Sequence, residues 1–253
     1  MTHPADRRRI LALMAAAPLG VAGAASAARA ADAPPAPAGL SEEERRRLTD
    51  FPWLARYADD NARVLAAGKP VTLVFMGDSI TQGWPDKRPA FFAQGGRVGR
   101  GIGGQTTPQM VLRMMADVIA LRPRAVHIMA GTNDIAGNTG PMTAQQTHDN
   151  LAAMATLAKA NGIAVLLASV PPAARYPWRP GLDTVTPIAA VNQWLATYAA
   201  EHGHTFVDYH TALQDGAGGM RPGLAYDGVH PTEAGYATME QVLEPMLAAK
   251  GLS

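Results

Sequence analysis

A serine, an aspartate, a histidine and an asparagine occur where their side chains could act on a substrate. Ser79 follows the apolar run Val71–Met76 and the dipeptide Gly77-Asp78. That run has the length of a buried strand, and open α/β sheets bind ligands beyond the carboxyl ends of their strands. The Ser79 hydroxyl could therefore face a substrate as a nucleophile. Because Gly, Asp and Ser are also common in ordinary turns, the other stretches must decide between these interpretations.

Asp227 and His230 could supply the acid–base part of such a site. His230 directly precedes Pro231, a favoured first residue of a helix, which predicts a loop-to-helix junction for the histidine. Asp227 could fold back across Gly228 and accept a hydrogen bond from the imidazole. That bond would fix the tautomer of His230 and stabilise the imidazolium formed when it takes a proton from serine. An isolated Asp-x-x-His pair is also a common local hydrogen bond.

Two further stretches could bind negative charge that develops on a substrate oxygen during a reaction. The glycines at 99, 101 and 104 predict a loop whose backbone N–H groups reach an oxyanion. Their spacing also matches the dinucleotide pattern G-x-G-x-x-G, but Gly95-Gly96 interrupts the preceding strand, and no acidic residue stands at 121–125, about 20 residues later. Asn133, after a strand-like run and Gly131-Thr132, could donate its amide N–H groups to the same charge or form an ordinary turn.

Together, in this order, the four stretches resemble the blocks of the SGNH (GDSL-type) hydrolase family. The matching segments are Gly77–Ile80 for the nucleophile, Ile102–Thr106 for the oxyanion glycine, Gly131–Asp134 for the Gly-x-Asn-Asp block and Asp227–His230 for the terminal Asp-x-x-His block. The chain departs from the pattern at Gln105 and Arg100, where the family often has Asp and Asn. Asp78 and Asp134 are expected to brace the loops by hydrogen bonding.

The resemblance implies a flavodoxin-like three-layer α/β/α sandwich with a mostly parallel sheet of about five strands, and a serine esterase. Ser79 would attack the ester carbonyl, His230 would act as general base and then general acid, and Asp227 would orient the imidazole. The backbone N–H groups of Ser79 and Gly104 and the amide of Asn133 would form the oxyanion hole. No cofactor and no metal ion are expected. The central blocks are most similar to bacterial relatives of the platelet-activating-factor acetylhydrolase catalytic subunits, which implies a short acyl group such as acetyl.

The loop 171–180 is the predicted contact for the rest of the substrate, because it follows a strand and is long, aromatic and basic. Trp178, Tyr176 and Arg175 could hold a sugar face or an anionic group, although a proline-stiffened surface loop is equally consistent. Trp84, close after the nucleophile, is a further candidate. We predict hydrolysis of short-chain esters of small molecules or glycans. The alternatives are a lysophospholipase or arylesterase of the same mechanism, a nucleotide-binding oxidoreductase, or a non-catalytic glycan-binding module.

Alternating strand-like and helical patterns provide the framework for these residues. The strand-like runs are Val71–Met76, Arg97–Ile102, Ala125–Ala130, Ile163–Val170 and His204–Tyr209. Helical patterns occupy Leu54–Ala67, Pro108–Leu121, Thr143–Ala160, Pro187–His202 and Pro231–Ala249, and a capping box at Ser41 and Glu44 begins an earlier helix. This alternation predicts βαβ units and a parallel sheet with helices on both faces.

Composition limits the other possibilities. The 253 residues are 47% hydrophobic and 17% charged, which fits one globular α/β domain. The net charge of +1 gives no electrostatic signal for a nucleic-acid partner. The absence of cysteine excludes a thiol nucleophile and cysteine metal sites, and no His-Glu-x-x-His cluster occurs. The sequence does not set the oligomeric state.

The first thirty residues predict a secretory signal peptide. Arg7–Arg9 is followed by the apolar segment Ile10–Ala25 and by Ala28-Arg29-Ala30, a small-x-small cleavage site. The apolar segment is too short for a comfortable membrane span. The consecutive arginines fit the twin-arginine export route as well as an ordinary signal. Residues 31–40 are then a linker, residues 41–253 the hydrolase domain, and the mature protein is periplasmic or secreted.

Overall fold

A sheet of five parallel strands lies at the centre of the computed structural model, which describes residues 39–253. The strands are β1 (Leu73–Gly77), β2 (Arg97–Gly101), β3 (Ala125–Met129), β4 (Ala164–Ala168) and β5 (Thr205–Val207). Their order across the sheet is β2-β1-β3-β4-β5, with every neighbouring pair parallel. Because the chain changes direction across the sheet between β1 and β3, the carboxyl ends of these two strands form the crevice in which such folds bind ligands.

Helices connect the strands and follow the last one. In chain order they are α1 (Glu42–Thr49), α2 (Ala58–Ala66), α3 (Ser79–Lys87), α4 (Pro89–Phe92), α5 (Thr107–Asp117), α6 (Thr132–Ile135), α7 (Ala144–Ala160), α8 (Val185–His202), α9 (Tyr209–Leu213) and α10 (Glu233–Ala249). Two short 3₁₀ helices occupy Leu54–Arg56 and Ile119–Leu121.

The helices cover both faces of the sheet. Right-handed crossovers place α3, which leads from β1 outward to β2, on one face, and α5, α7 and α8, which lead in the other direction, on the opposite face. Helix α10 packs on α3, where the Tyr236 hydroxyl donates a hydrogen bond of 2.7 Å to the carbonyl of Ile80. Helix α5 packs on α7, and α7 packs on α8. The predicted three-layer α/β/α sandwich with a parallel five-stranded sheet is therefore confirmed.

The continuous apolar runs become strands because both faces of this sheet are covered. Every residue of β1 and β3 is buried. Trp84 belongs to this core, because it is fully buried against Phe75 and Tyr236 and donates from Nε1 to Glu240 at 3.0 Å. The prediction that Trp84 contacts substrate is therefore wrong.

Several predicted helix ends differ from the observed ones for local reasons. The helix predicted from Leu54 divides into a 3₁₀ turn and α2. The last helix begins at Glu233 rather than Pro231, because the side chain of Thr232 accepts the N–H of Gly235 at 3.2 Å and so caps the helix. Pro231 instead pairs with Ala225 in an isolated antiparallel bridge.

The predicted signal peptide and all but the last two residues of the predicted linker lie outside the described residues. Between residues 39 and 253, no helix combines the length and the apolar character needed to cross a bilayer.

Candidate active site

Ser79 lies at the junction of β1 and α3, at the carboxyl edge of the sheet. Asp78 caps α3, because its Oδ1 accepts the N–H of Ile80 at 2.9 Å. Ser79 is thus the first residue of the helix, and its backbone N–H has no acceptor within the helix. A Cβ at Gly77 would collide with the side chain of Thr81 and the carbonyl of Met129, so only glycine fits this turn. The serine hydroxyl and its backbone N–H are both available at the crevice.

His230 connects Ser79 to Asp227. Its Nε2 lies 2.9 Å from the Ser79 Oγ, and its Nδ1 lies 2.7 Å from the Asp227 Oδ2. The other carboxylate oxygen of Asp227 accepts the backbone N–H groups of Val229 at 2.9 Å and His230 at 2.8 Å. Gly228, with a φ of 89°, permits this tight fold-back. The three side chains named from the sequence therefore form one continuous hydrogen-bond chain.

The local hydrogen bonds also set the charge of Asp227. Partial burial raises the pKa of this carboxyl, but the hydrogen bonds from His230 and Val229 outweigh burial and hold the pKa below its usual value of 3.8. Asp227 is consequently ionised at neutral pH. An ionised carboxylate beside Nδ1 keeps the proton on that nitrogen and leaves Nε2 to accept the serine proton.

Asn133 reaches the same crevice from the end of β3. Its Nδ2 donates to the carbonyl of Gln105 at 3.0 Å and to Asp78 Oδ2 at 3.4 Å, and its Oδ1 accepts the Nδ2 of Asn138 at 2.8 Å. A reversed amide would place oxygen against two oxygens, so this network fixes the amide orientation. The bond from Asn133 Nδ2 to Asp78 is the longer of the two, so an oxyanion could most easily take this N–H donor from Asp78. Catalytic hydrogen bonds are often long in the absence of substrate and tighten when it binds.

Gly104 lies in the loop between β2 and α5, opposite Asn133. Its φ of 75° requires the left-handed conformation that glycine adopts without strain. The carbonyl of Gly104 accepts the Nδ2 of Asn138 at 3.3 Å, and the N–H of Gly103 donates to Gln82 Oε1 at 2.7 Å. Both contacts hold the loop against the elements that carry Ser79 and Asn133.

The two earlier glycines of the nucleotide-like pattern have another role. Gly99 and Gly101 lie inside β2 rather than in a turn that opens a helix. A Cβ at Gly101 would collide with the backbone of Gln82, at the first turn of α3. These glycines therefore allow the nucleophile helix to pack closely on the sheet.

Buried polar groups brace the loops around the site. Arg113 is fully buried and donates to the carbonyl of Gly77 at 2.8 Å, to Gln105 Oε1 at 2.7 Å and to Asp117 at 3.1 Å. It thus joins the end of β1 to the loop of the oxyanion glycine. Arg113 was not identified from the sequence.

The two aspartates next to the candidate residues act as braces, as expected. Asp134 accepts the backbone N–H of Thr107 at 3.0 Å as well as its hydroxyl. Asp78 caps α3 and also contacts Asn133. Burial raises the pKa of Asp78 to about 6.

A pocket of about 220 Å³ opens above the hydrogen-bond chain. It is lined by Ser79, Gly104, Asn133, Asn138, Trp178 and His230. The rings of Trp178 and Tyr226 flank the imidazole, with centroids 6.1 Å and 5.6 Å from its centre. Asn138 and Tyr226 were not identified from the sequence.

The three residues proposed for substrate binding occupy different environments. Trp178 lines the pocket and is 38% exposed. Tyr176 is buried and stacks against Trp178 at a centroid distance of 5.0 Å, so it supports the tryptophan from behind. Arg175 is exposed and is not among the residues that line the pocket.

Comparison with known proteins gives a family match and a related esterase. A model of the GDSL-like lipase/acylhydrolase family matches residues 75–238, more than half of the chain. Esterase TesA of Pseudomonas aeruginosa is 29% identical over 188 residues, which cover 70% of this chain and 87% of that protein.

Two solved structures from Bacteroides species are similar to this one. A GDSL-like lipase of Bacteroides thetaiotaomicron is 42% identical, with a TM-score of 0.75 over 79% of this chain and all of the other. A Bacteroides fragilis protein is 40% identical, with a TM-score of 0.75 over 81% of this chain and 99% of its own.

Proposed function

Because this chain belongs to the GDSL-like lipase/acylhydrolase family and is a serine hydrolase that acts on ester bonds, we propose that it is an exported esterase for short acyl groups, acetyl in the first place. The observation that carries the proposal is the Ser79–His230–Asp227 hydrogen-bond chain, which opens into a pocket of only about 220 Å³. The hydrogen-bond chain supports the esterase reaction, and the size of the pocket supports a short acyl group.

The proposed reaction proceeds through an acyl-enzyme. Ser79 Oγ attacks the ester carbonyl while His230 Nε2 takes its proton, and Asp227 stabilises the imidazolium. The backbone N–H groups of Ser79 and Gly104 and the Asn133 amide hold the negative oxygen of the tetrahedral intermediate. The imidazolium then protonates the departing alcohol. A water molecule, deprotonated by His230, attacks the acyl-enzyme and releases the acid.

The pocket supports a short acyl group. Whole sites for drug-sized ligands usually measure about 300–1,000 Å³, and the smaller space directly at Ser79 fits the acyl half of an ester rather than the whole substrate. The similarity of the central blocks to bacterial relatives of the platelet-activating-factor acetylhydrolase catalytic subunits supports acetyl in particular. The exposed ring of Trp178, held flat by Tyr176, supports a glycan or another ring-bearing alcohol as the second half of the ester.

We expect kcat/KM to fall along the series p-nitrophenyl acetate, butyrate and octanoate, by at least about tenfold from first to last. The leaving group is the same in all three esters, so the trend reports the acyl half alone. Initial rates with purified residues 31–253 measure it, and the Ser79→Ala variant supplies the background. Faster hydrolysis of the octanoate would contradict the acetyl proposal and favour a lysophospholipase.

Export is proposed from residues 1–30. When the full chain is expressed in a bacterium, we expect it in the periplasm or medium, with an amino terminus near Ala31. Fractionation followed by amino-terminal sequencing measures this. Replacing Arg7 and Arg8 by lysine distinguishes the routes, since the twin-arginine route depends on the arginines. An uncleaved chain retained in the cytoplasm would refute export.

A further inference from the structure

A groove of about 710 Å³ adjoins the pocket at Ser79. The two share Trp178 as a lining residue, and the groove continues past Asp134 and Gly137, next in the chain to the pocket residues Asn133 and Asn138. Apolar side chains, Ile135, Met142 and Leu182 among them, form much of its lining. An ester whose acyl half fills the small pocket could therefore extend its alcohol half into this groove.

The groove contains one cation without a matching anion. Arg179 and Asp134 are its ionisable lining residues. Asp134 is engaged by Thr107, and burial raises the pKa of its carboxyl. Arg179 donates from Nε to the carbonyl of Ala136 and from Nη2 to that of Gly137 at 3.2 Å. Among residues 39–253, no carboxylate lies within ion-pair distance of the Arg179 guanidinium.

The two carbonyls hold the guanidinium in a fixed position and leave part of it unused. Both bonds are made on the Nε side of the group, so the edge formed by Nη1 and Nη2 keeps two parallel N–H donors. Gly137 leaves room for the guanidinium, because a Cβ there would lie 3.0 Å from Nη2. A planar fork of two donors matches the two oxygens of a carboxylate. The guanidinium is exposed at the groove, so water solvates its charge and an anion of the right shape can reach it.

We propose that this groove binds the alcohol half of the substrate and that Arg179 pairs with a carboxylate on it. The substrate class is then a short-chain ester of a hydroxy acid, either an acylated sugar acid or an acylated hydroxy-aromatic acid. The inference rests on the proposed function, because it concerns the alcohol half of the ester that Ser79 cleaves.

The test compares an anionic substrate with its neutral isostere. 4-Acetoxybenzoate and 4-acetoxybenzamide differ in charge at one position, and an O-acetylated methyl uronide with the matching neutral glycoside provides the sugar pair. We expect wild-type kcat/KM to favour the carboxylate by about tenfold or more in at least one pair. Arg179→Gln should abolish that preference, so that the kcat/KM ratio of the charged to the neutral partner falls to the ratio of their uncatalysed rates. Sodium chloride at about 0.5 M should weaken the wild-type preference.

Arg124→Gln is the matched control. Arg124 is also exposed and also donates to a backbone carbonyl, that of Gly251 at 2.7 Å, but it lies at the amino end of β3, at the other edge of the sheet. The control should retain the wild-type preference. Equal preference for the carboxylate in wild type and Arg179→Gln would overturn the inference. An equal loss of kcat/KM on charged and neutral substrates would also overturn it, because it would show that Arg179 only clamps the loop.

Binding without turnover separates this inference from the proposed function. Calorimetric titration of 4-acetoxybenzoate and of the acetylated uronide into Ser79→Ala, with and without Arg179→Gln, needs no hydrolysis. We expect the second substitution to weaken binding by about tenfold. Unchanged Kd values would overturn the carboxylate site even if esterase activity is observed. If wild type hydrolysed none of the esters while Arg179→Gln still weakened binding, the proposed function would be refuted and the carboxylate site would stand.

Discussion

The Ser79→Ala variant should hydrolyse p-nitrophenyl acetate about 10⁴- to 10⁶-fold more slowly than wild type in kcat/KM. Of the described residues that line the pocket, Ser79 alone carries a hydroxyl, so no other hydroxyl there can form the ester-linked acyl-enzyme in its place. The variant keeps the backbone N–H of residue 79 and the Asn133 amide. The small remaining rate should therefore come from oxyanion stabilisation of direct attack by water.

The control for this variant is Ser41→Ala. Ser41 caps α1 at an exposed position, and its loss should leave kcat/KM unchanged. The melting temperature of Ser79→Ala should match that of wild type within a few degrees, since the Ser79 hydroxyl has His230 as its partner rather than a structural group. A decrease in activity of less than tenfold in the folded variant would show that Ser79 is not the nucleophile.

The parts of the site that could be predicted are those carried by short segments. Asp227 and His230 are three residues apart, so a single tight loop brings them together. Ser79 and Asn133 come from different segments, but each follows an apolar run of strand length. The parallel sheet brings the carboxyl ends of β1 and β3 side by side. Position along a strand was therefore enough to bring these residues to one crevice.

The supporting residues could not be predicted because tertiary packing alone determines their contacts. Arg113 reaches the carbonyl of Gly77, 36 residues earlier in the chain, and a surface role on an amphipathic helix would fit its sequence context equally well. Within the loop 171–180, the sequence does not determine which side chains turn inward. Tyr176 is buried, Arg175 is exposed, and Arg179 rather than Arg175 lines the groove.

Replacing Asp227 by asparagine should lower kcat by about 10³- to 10⁴-fold while leaving stability nearly unchanged. Oδ1 of Asp227 accepts two backbone N–H groups, and an asparagine oxygen can keep both bonds. These two bonds fix the orientation of the amide, so its NH₂ group takes the place of Oδ2 and faces His230 Nδ1. The imidazole must then carry its proton on Nε2, where it donates to Ser79 and cannot accept the serine proton. Stopped-flow and steady-state rates with p-nitrophenyl acetate measure the loss.

Two further variants separate this tautomer effect from loss of the loop. Asp227→Ala removes both backbone hydrogen bonds, so its free energy of unfolding should also decrease, by about 1–2 kcal/mol. Asp215→Asn is the matched control, because Asp215 Oδ1 likewise accepts two backbone N–H groups, from Ala217 at 2.7 Å and Gly219 at 3.0 Å, without contacting an imidazole. Its activity should equal that of wild type. If Asp227→Asn kept more than a tenth of wild-type kcat, His230 would not depend on Asp227 for its tautomer, and Asp227 would serve only to shape the loop.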